Sequence, residues 1–322
     1  MKKMTLAATL LACALAYPAS AQEKATLRLN WLIYGFHTPF HLGVERGYYK
    51  AEGIDLDVGE GKGSASAVQV IGAKGDTFGL SDGASIINGV TKGAPIKAVM
   101  GVMNTTPFAV IAREDANIKT IKDLEGKTIA ATAGEAGLTI MPALIKANKL
   151  DEAKINFLRV DGAAKLVATL ENKSHAMLGG SENQPFILEQ RGLKTTIINY
   201  ADYGVNTMGL AIHVHNDTLK DKPKLVEGFI RATRKAFADA EKEPSATIAA
   251  GLKAKPDMDK DLALKQLNAG LKLVRSRAAP TAPIGQMIAS DWEMTLNLMK
   301  EYQELKTDMK ADAFYTNAHL TN

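Results

Sequence analysis

Cysteine is nearly missing: the only one in 322 residues is Cys13, close to the N-terminus. It lies in a segment that reads as a secretory leader. Lys2 and Lys3 give a basic start, Leu6 to Ala16 an apolar run, and Ala19-Ser20-Ala21 a small-x-small cleavage site before Gln22. Cleavage there leaves no cysteine at all, which excludes disulfides, thiolate chemistry and cysteine-ligated metals in an oxidising compartment. Lipid attachment at Cys13, after Leu10-Leu11-Ala12, is the alternative processing route. Either way the working protein is expected to be exported and periplasmic.

An excess of one charge sign is also missing. Lys and Arg number 39 against 35 Asp and Glu, for a formal net charge of +4, and losing Lys2 and Lys3 would leave +2. No concentrated basic stripe accompanies this balance, so no nucleic-acid partner is expected. After the leader no long uncharged apolar run occurs, so the mature chain is expected to be soluble. There is no nucleophile elbow and no phosphate-binding P-loop, and Gly59 to Gly63 lacks the spacing of a dinucleotide fingerprint. His37, His41 and Glu45 are spaced by four, but Pro39 places His37 ahead of the helix and breaks the regular face; His41 reads as a helix-surface residue. His213 and His215 share a strand face without an evident third ligand. No catalytic residue, metal or cofactor is assigned.

What is present is alternation. Leu27 to Ile33 reads as a strand. A helix follows from Thr38-Pro39 to about Ala51, ended by Gly53; then come a strand at Ile54 to Val58, a helix after Gly63-Ser64, a strand at Thr77 to Leu80, a helix after Ser81-Asp82-Gly83 and a strand at Ile96 to Val102. Near Phe108 to Arg113 the pattern restarts, with a capping box at Thr120-Ile121-Lys122-Asp123 and strands at Thr128 to Ala131, Ile155 to Val160, Ala176 to Leu178 and Thr195 to Ile198. After Met208 to Val214 the chain turns helical, from Asp221 and Pro223 to Pro244, then over Leu262 to Val274 and Ile288 to Tyr302. About 300 residues exceed one core. The expectation is an α/β protein of two lobes, with mostly parallel sheets flanked by helices, and a ligand cleft outside the carboxyl ends of the strands.

The stretch Leu29-Asn30-Trp31, His37-Thr38-Pro39-Phe40 and Val44-Glu45-Arg46-Gly47-Tyr48-Tyr49-Lys50-Ala51-Glu52-Gly53-Ile54-Asp55-Leu56 resembles the periplasmic substrate-binding proteins of ABC importers in the nitrate, sulfonate, taurine and thiamine-pyrimidine group. Asp76 to Asp82 and Lys122 to Ala130 fit the same pattern. The resemblance implies a Venus-flytrap fold of the type II periplasmic binding proteins with two interlobe crossovers. Residues 1–21 would be leader, 22–108 and 209–322 one lobe, and 109–208 the other. It also implies a monomer that closes on a small molecule and docks on an inner-membrane permease with its ATPase. A receptor-docking sensor is the alternative class. Eukaryotic pyrimidine-synthesising enzymes share the fold but use a cysteine-rich, iron-binding segment, which a cysteine-free exported chain lacks.

Candidate cleft residues follow from strand ends and helix starts. The first lobe offers Trp31, Tyr34 and Phe36 as flat surfaces for a planar ligand, Ser64 and Ser66 at a helix start, Ser81 and Asp82 after a strand, and Asn104 near the first crossover. The second offers Gly134 and Glu135, then Ser181, Glu182 and Asn183, with Tyr203 and Asn206 near the return crossover. Aromatic walls with Asp82, Glu135 and Glu182, and no arginine among them, favour a neutral or cationic nitrogenous heteroaromatic over an anion. A thiamine-pyrimidine-like ligand is the reading preferred here; a sulfonate, taurine, nitrate or aromatic carboxylate is the alternative.

Overall fold

A computed structural model describes residues 22–320; the leader and its cleavage or lipidation site lie outside them. Ten strands fall into two five-stranded sheets. The first has the order β2-β1-β3-β10-β4, from β1 (Glu23–Arg28), β2 (Ile54–Gly59), β3 (Phe78–Asp82), β4 (Ile96–Met103) and β10 (Leu210–His215). The second is β7-β6-β8-β5-β9, from β5 (Phe108–Arg113), β6 (Thr128–Ala131), β7 (Asn156–Arg159), β8 (Ala176–Gly180) and β9 (Thr195–Asn199). In each sheet one strand opposes the other four: β10 runs antiparallel to β3 and β4, and β5 to β8 and β9. Those two strands are the ones that enter from the other sheet, β5 straight after β4 and β10 after β9.

Sequence and structure differ in instructive places. The first strand begins at Glu23 and stops at Arg28, four residues earlier at its start and five at its end than its apolar run suggested, which frees Asn30 and Trp31 for a loop. The first long helix is two, α1 (Thr38–Glu45) and α2 (Tyr48–Ala51), broken where Gly47 takes φ +70°. Thr38 is not the cap but the first helical residue, and its hydroxyl donates to the Gly35 carbonyl at 2.6 Å. His41 is buried rather than on the surface, because α1 packs beneath the later helices α9 (Pro223–Lys242) and α10 (Pro244–Ala254). The capping box at Thr120 and Asp123 is present.

The core joins the two halves. One buried cluster runs from Ile71 and Ile87 beneath the first sheet, through Trp292 and Met299, to Leu144 and Leu178 beneath the second. Trp292 and Met299 belong to α12 (Ala289–Tyr302), which packs on both α4 (Gly83–Thr91) and α5 (Ala136–Ala147). Gln303, just past its end, donates to the Thr139 carbonyl at 2.7 Å. Among the described residues no helix is long and apolar enough to cross a membrane.

Candidate functional site

A cleft of about 600 Å³, a figure that includes solvent at its mouth, lies between the sheets. Its walls come from strand ends and helix starts: Asn30 and Trp31 beyond β1, Ser64 at the start of α3 (Ser64–Gly72), Glu135 and Ala136 at the start of α5, and Glu182, Asn183 and Gln184 between β8 and α7 (Gln184–Gln190). This is where open α/β sheets leave free backbone donors and room for a ligand.

Glu182 is the centre of its electrostatics. The Tyr34 hydroxyl, from the opposite lobe, donates to Glu182 Oε1 at 2.9 Å. The other oxygen, Oε2, is buried with no hydrogen-bond partner. Burial pushes the Glu182 carboxyl up to about 7, against the Tyr34 hydrogen bond that favours its charged form, and burial also raises the Tyr34 phenol. The carboxylate folds back over Gly180, where a Cβ would stand 2.2 Å from Oε2, so a side chain at this position would displace the Glu182 carboxylate.

Glu135 is handled differently. Its Oε1 accepts from Thr132 N–H at 2.9 Å, and its Oε2 forms a buried ion pair with Lys165 from α6 (Gly162–Leu170). Burial raises its pKa, with Lys165 opposing. The Lys165 ammonium also lies 5.6 Å from the centre of the half-buried Trp31 ring, a cation–π contact between lobes. The edge of the Trp31 indole meets the start of α6, and a Cβ on Gly162 would approach it to 2.8 Å.

Of the residues expected from sequence, Trp31, Tyr34, Ser64, Glu135, Glu182 and Asn183 line this cleft. Phe36 does not: it is wholly buried, packed edge-on to Phe237, because the short 3-10 turn Gly35–His37 rotates it inward. Ser81 and Asp82 lie beneath the floor. The Ser81 hydroxyl donates to the Ser64 carbonyl and contacts His213, while Asp82 caps α4 by accepting from Ser85 N–H at 3.0 Å. Burial raises the Asp82 pKa. Asn104 is a strut, its amide donating to the Val274 carbonyl at 2.8 Å. Gly134 meets the other lobe through its carbonyl, 3.0 Å from where a Gly63 Cβ would be. Ser66, Ser181, Tyr203 and Asn206 are half-buried and outside the lining; Ser181 N–H is used by the Pro107 carbonyl and Tyr203 packs on the core.

Sequence reading missed Lys165, Asn30, Phe108 and Gln184. Lys165 left one local trace, a lysine on the buried stripe of α6 with Ala168 and Thr169. Asn30 is held by His37, 3.1 Å from its Oδ1, and burial lowers that imidazole to about 3, so it is neutral.

Two α/β lobes, two crossovers and a cleft built at the strand ends define the periplasmic binding protein fold. The structure of the alkanesulfonate-binding protein SsuA from Xanthomonas axonopodis pv. citri bound to MOPS shares it, with a TM-score of 0.70 over 94% of this chain and 99% of that one at 12% identity. A sequence model described as NMT1/THI5 like matches residues 35–247, and the chain belongs to that family. Relatives include the riboflavin-binding protein RibY of Chloroflexus aurantiacus, 24% identical over 92% of this chain and 85% of its own. The 4-amino-5-hydroxymethyl-2-methylpyrimidine phosphate synthase of Legionella pneumophila is 24% identical over 74% and 76%. The formylaminopyrimidine-binding protein of Halalkalibacterium halodurans is 21% identical over 91% and 90%.

Proposed function

We propose that this protein is the exported solute-capturing component of an ABC importer and closes on a small planar nitrogenous heteroaromatic, an aminopyrimidine or a flavin-like ring. In this reading residues 22–108 and 209–322 form one lobe and 109–208 the other, and the closed form delivers its ligand to a permease.

The observation that carries the ligand class is Glu182 Oε2, a buried acceptor without a donor, on a residue that lines the same cleft as Trp31. Such an oxygen is costly unless something donates to it, and a ring N–H or exocyclic amine does so while the ring stacks on the indole. An anion would instead meet Glu182 with no free cation opposite, since Lys165 is already paired with Glu135. Relatives named for riboflavin and formylaminopyrimidine binding support the same class. The synthase relatives raise an enzymatic reading, but the residues lining this cleft include no lysine, histidine or cysteine to act as nucleophile.

The test is a thermal-shift screen of the chain from Gln22 against 4-amino-5-aminomethyl-2-methylpyrimidine, riboflavin, MOPS, taurine and nitrate, with mass spectrometry of each mixture. A ligand that binds only the folded state at 100 times Kd adds about 2.7 kcal/mol and raises Tm. Shifts with the nitrogenous rings and no conversion are expected. Shifts with sulfonates or nitrate alone overturn the ligand class, and turnover overturns the binding role.

A further inference from the structure

Gln266, in the middle of α11 (Lys260–Leu271), is 2% exposed and is not among the residues lining the cleft, yet both ends of its carboxamide are used. Its Oε1 accepts from Gly35 N–H at 3.0 Å, and its Nε2 donates to Asn183 Oδ1 at 2.7 Å. Gly35 follows Tyr34 and Asn183 follows Glu182. The two segments are therefore tied across the cleft twice, directly by the Tyr34–Glu182 hydrogen bond and indirectly through Gln266.

We propose that Gln266 is a positioning residue for ligand capture: it holds Asn183, and with it the turn that carries Glu182 on the cleft wall. The proposal rests on the cleft being the ligand site. The turn's own bonds, Ser181 N–H to the carbonyl of Pro107 just ahead of β5 and Gly180 N–H to Gln184 Oε1, stay with its own sheet; the Tyr34 hydrogen bond and, one residue along, Gln266 are the anchors that reach it from the opposite lobe. Only a side chain with both a donor and an acceptor, of this length, serves Gly35 and Asn183 together. The groups facing Glu182 are the Tyr34 phenol ahead of α1, the Gly180 backbone and its own backbone, and the remaining charged pair of the cleft, Glu135 with Lys165, comes from α5 and α6.

The experiment needs a readout that loosened packing alone leaves unmoved. The pH dependence of unfolding free energy, compared between the protein and its Glu182→Gln variant, gives the midpoint at which Glu182 titrates in the folded state. That midpoint is expected near 7. In Gln266→Leu, with Gln266→Met as the variant of closer length, the turn admits water and the midpoint should fall by a unit or more, towards the ordinary glutamate value of about 4.3. Affinity for riboflavin or 4-amino-5-aminomethyl-2-methylpyrimidine should weaken about tenfold, and Asn183→Ala should add little further loss in the Gln266→Leu background. A lower Tm with an unmoved midpoint reduces Gln266 to a packing residue and overturns the proposal. Should neither compound bind the parent protein, the ligand reading fails, while the midpoint still decides the role of Gln266.

Discussion

The Tyr34 hydroxyl and the Glu182 carboxylate come from opposite lobes and meet at 2.9 Å, though they stand 148 positions apart in the chain. The bond ties the two lobes together through a group that titrates. The folded pKa, about 7, lies above the ordinary glutamate value, so the folded state holds the extra proton between roughly pH 4.3 and 7. Stability from this group is full below that window, falls as pH rises through it, and is flat above. Glu182→Gln, which carries no charge, should therefore match the parent at pH 4 and exceed it by roughly 3 kcal/mol at pH 8, read by urea unfolding. A ligand donating to Oε2 should bind the variant more weakly, since the amide offers a poorer acceptor.

Trp31 and Gly162 allow binding to be separated from folding. Trp31→Ala removes a half-buried ring that meets the other lobe at Lys165 and Gly162. Loss of stacking should cost about 1–2 kcal/mol in affinity for a planar ligand, roughly tenfold in Kd by titration calorimetry. Gly162→Ala presses a methyl into the indole edge while improving the first turn of α6. It should weaken the same ligand with Tm unchanged or raised. Equal affinity in both variants would place the ligand away from this wall.

Lys165 and Glu135 form a buried pair, so removing one partner strands the other. Lys165→Met should cost about 3–5 kcal/mol by denaturant unfolding at pH 7, whereas Lys165→Met with Glu135→Gln should recover most of that loss. A double variant no better than the single would mean that the charges themselves do not set the cost.

What the sequence exposed was local. The alternation of strands and helices, the restart near Phe108 and the family pattern around Trp31 and Gly53 all depend on neighbours within one turn or one strand. Tyr34 and Phe36 show where such reading ends: two aromatics after the same strand, one turned to the cleft and the other to Phe237, divided by a short 3-10 turn whose direction is set by packing on α11. Asp82 and Glu182 make a second contrast. Both precede helices, but Asp82 spends one oxygen on its own helix cap, whereas Glu182 caps nothing and turns back over Gly180. Lys165 and Gln266 were invisible because their partners are distant in sequence, Trp31 and Glu135 for one and Gly35 and Asn183 for the other.

The buried histidines set the acid limit. Burial lowers His37 and His213 to about 3 each, with the nearby His41 also disfavouring the charged form of His37. Here the folded pKa lies below the unfolded value of about 6.5, so the unfolded state binds the proton first. Stability is intact above pH 6.5 and falls as pH drops towards 3, by about 2–3 kcal/mol per histidine at pH 4.5. Glu182 works in the opposite direction over much of the same range. His213→Gln, beside the Ser81 hydroxyl at 2.9 Å, should flatten the acid limb without touching the cleft lining. His37→Gln should flatten it as well, but should also loosen Asn30 and so weaken ligand binding at neutral pH. Urea unfolding from pH 4 to 8, with affinity measured at pH 7, separates the two: an acid limb unchanged in both variants would mean that protonation elsewhere unfolds the protein.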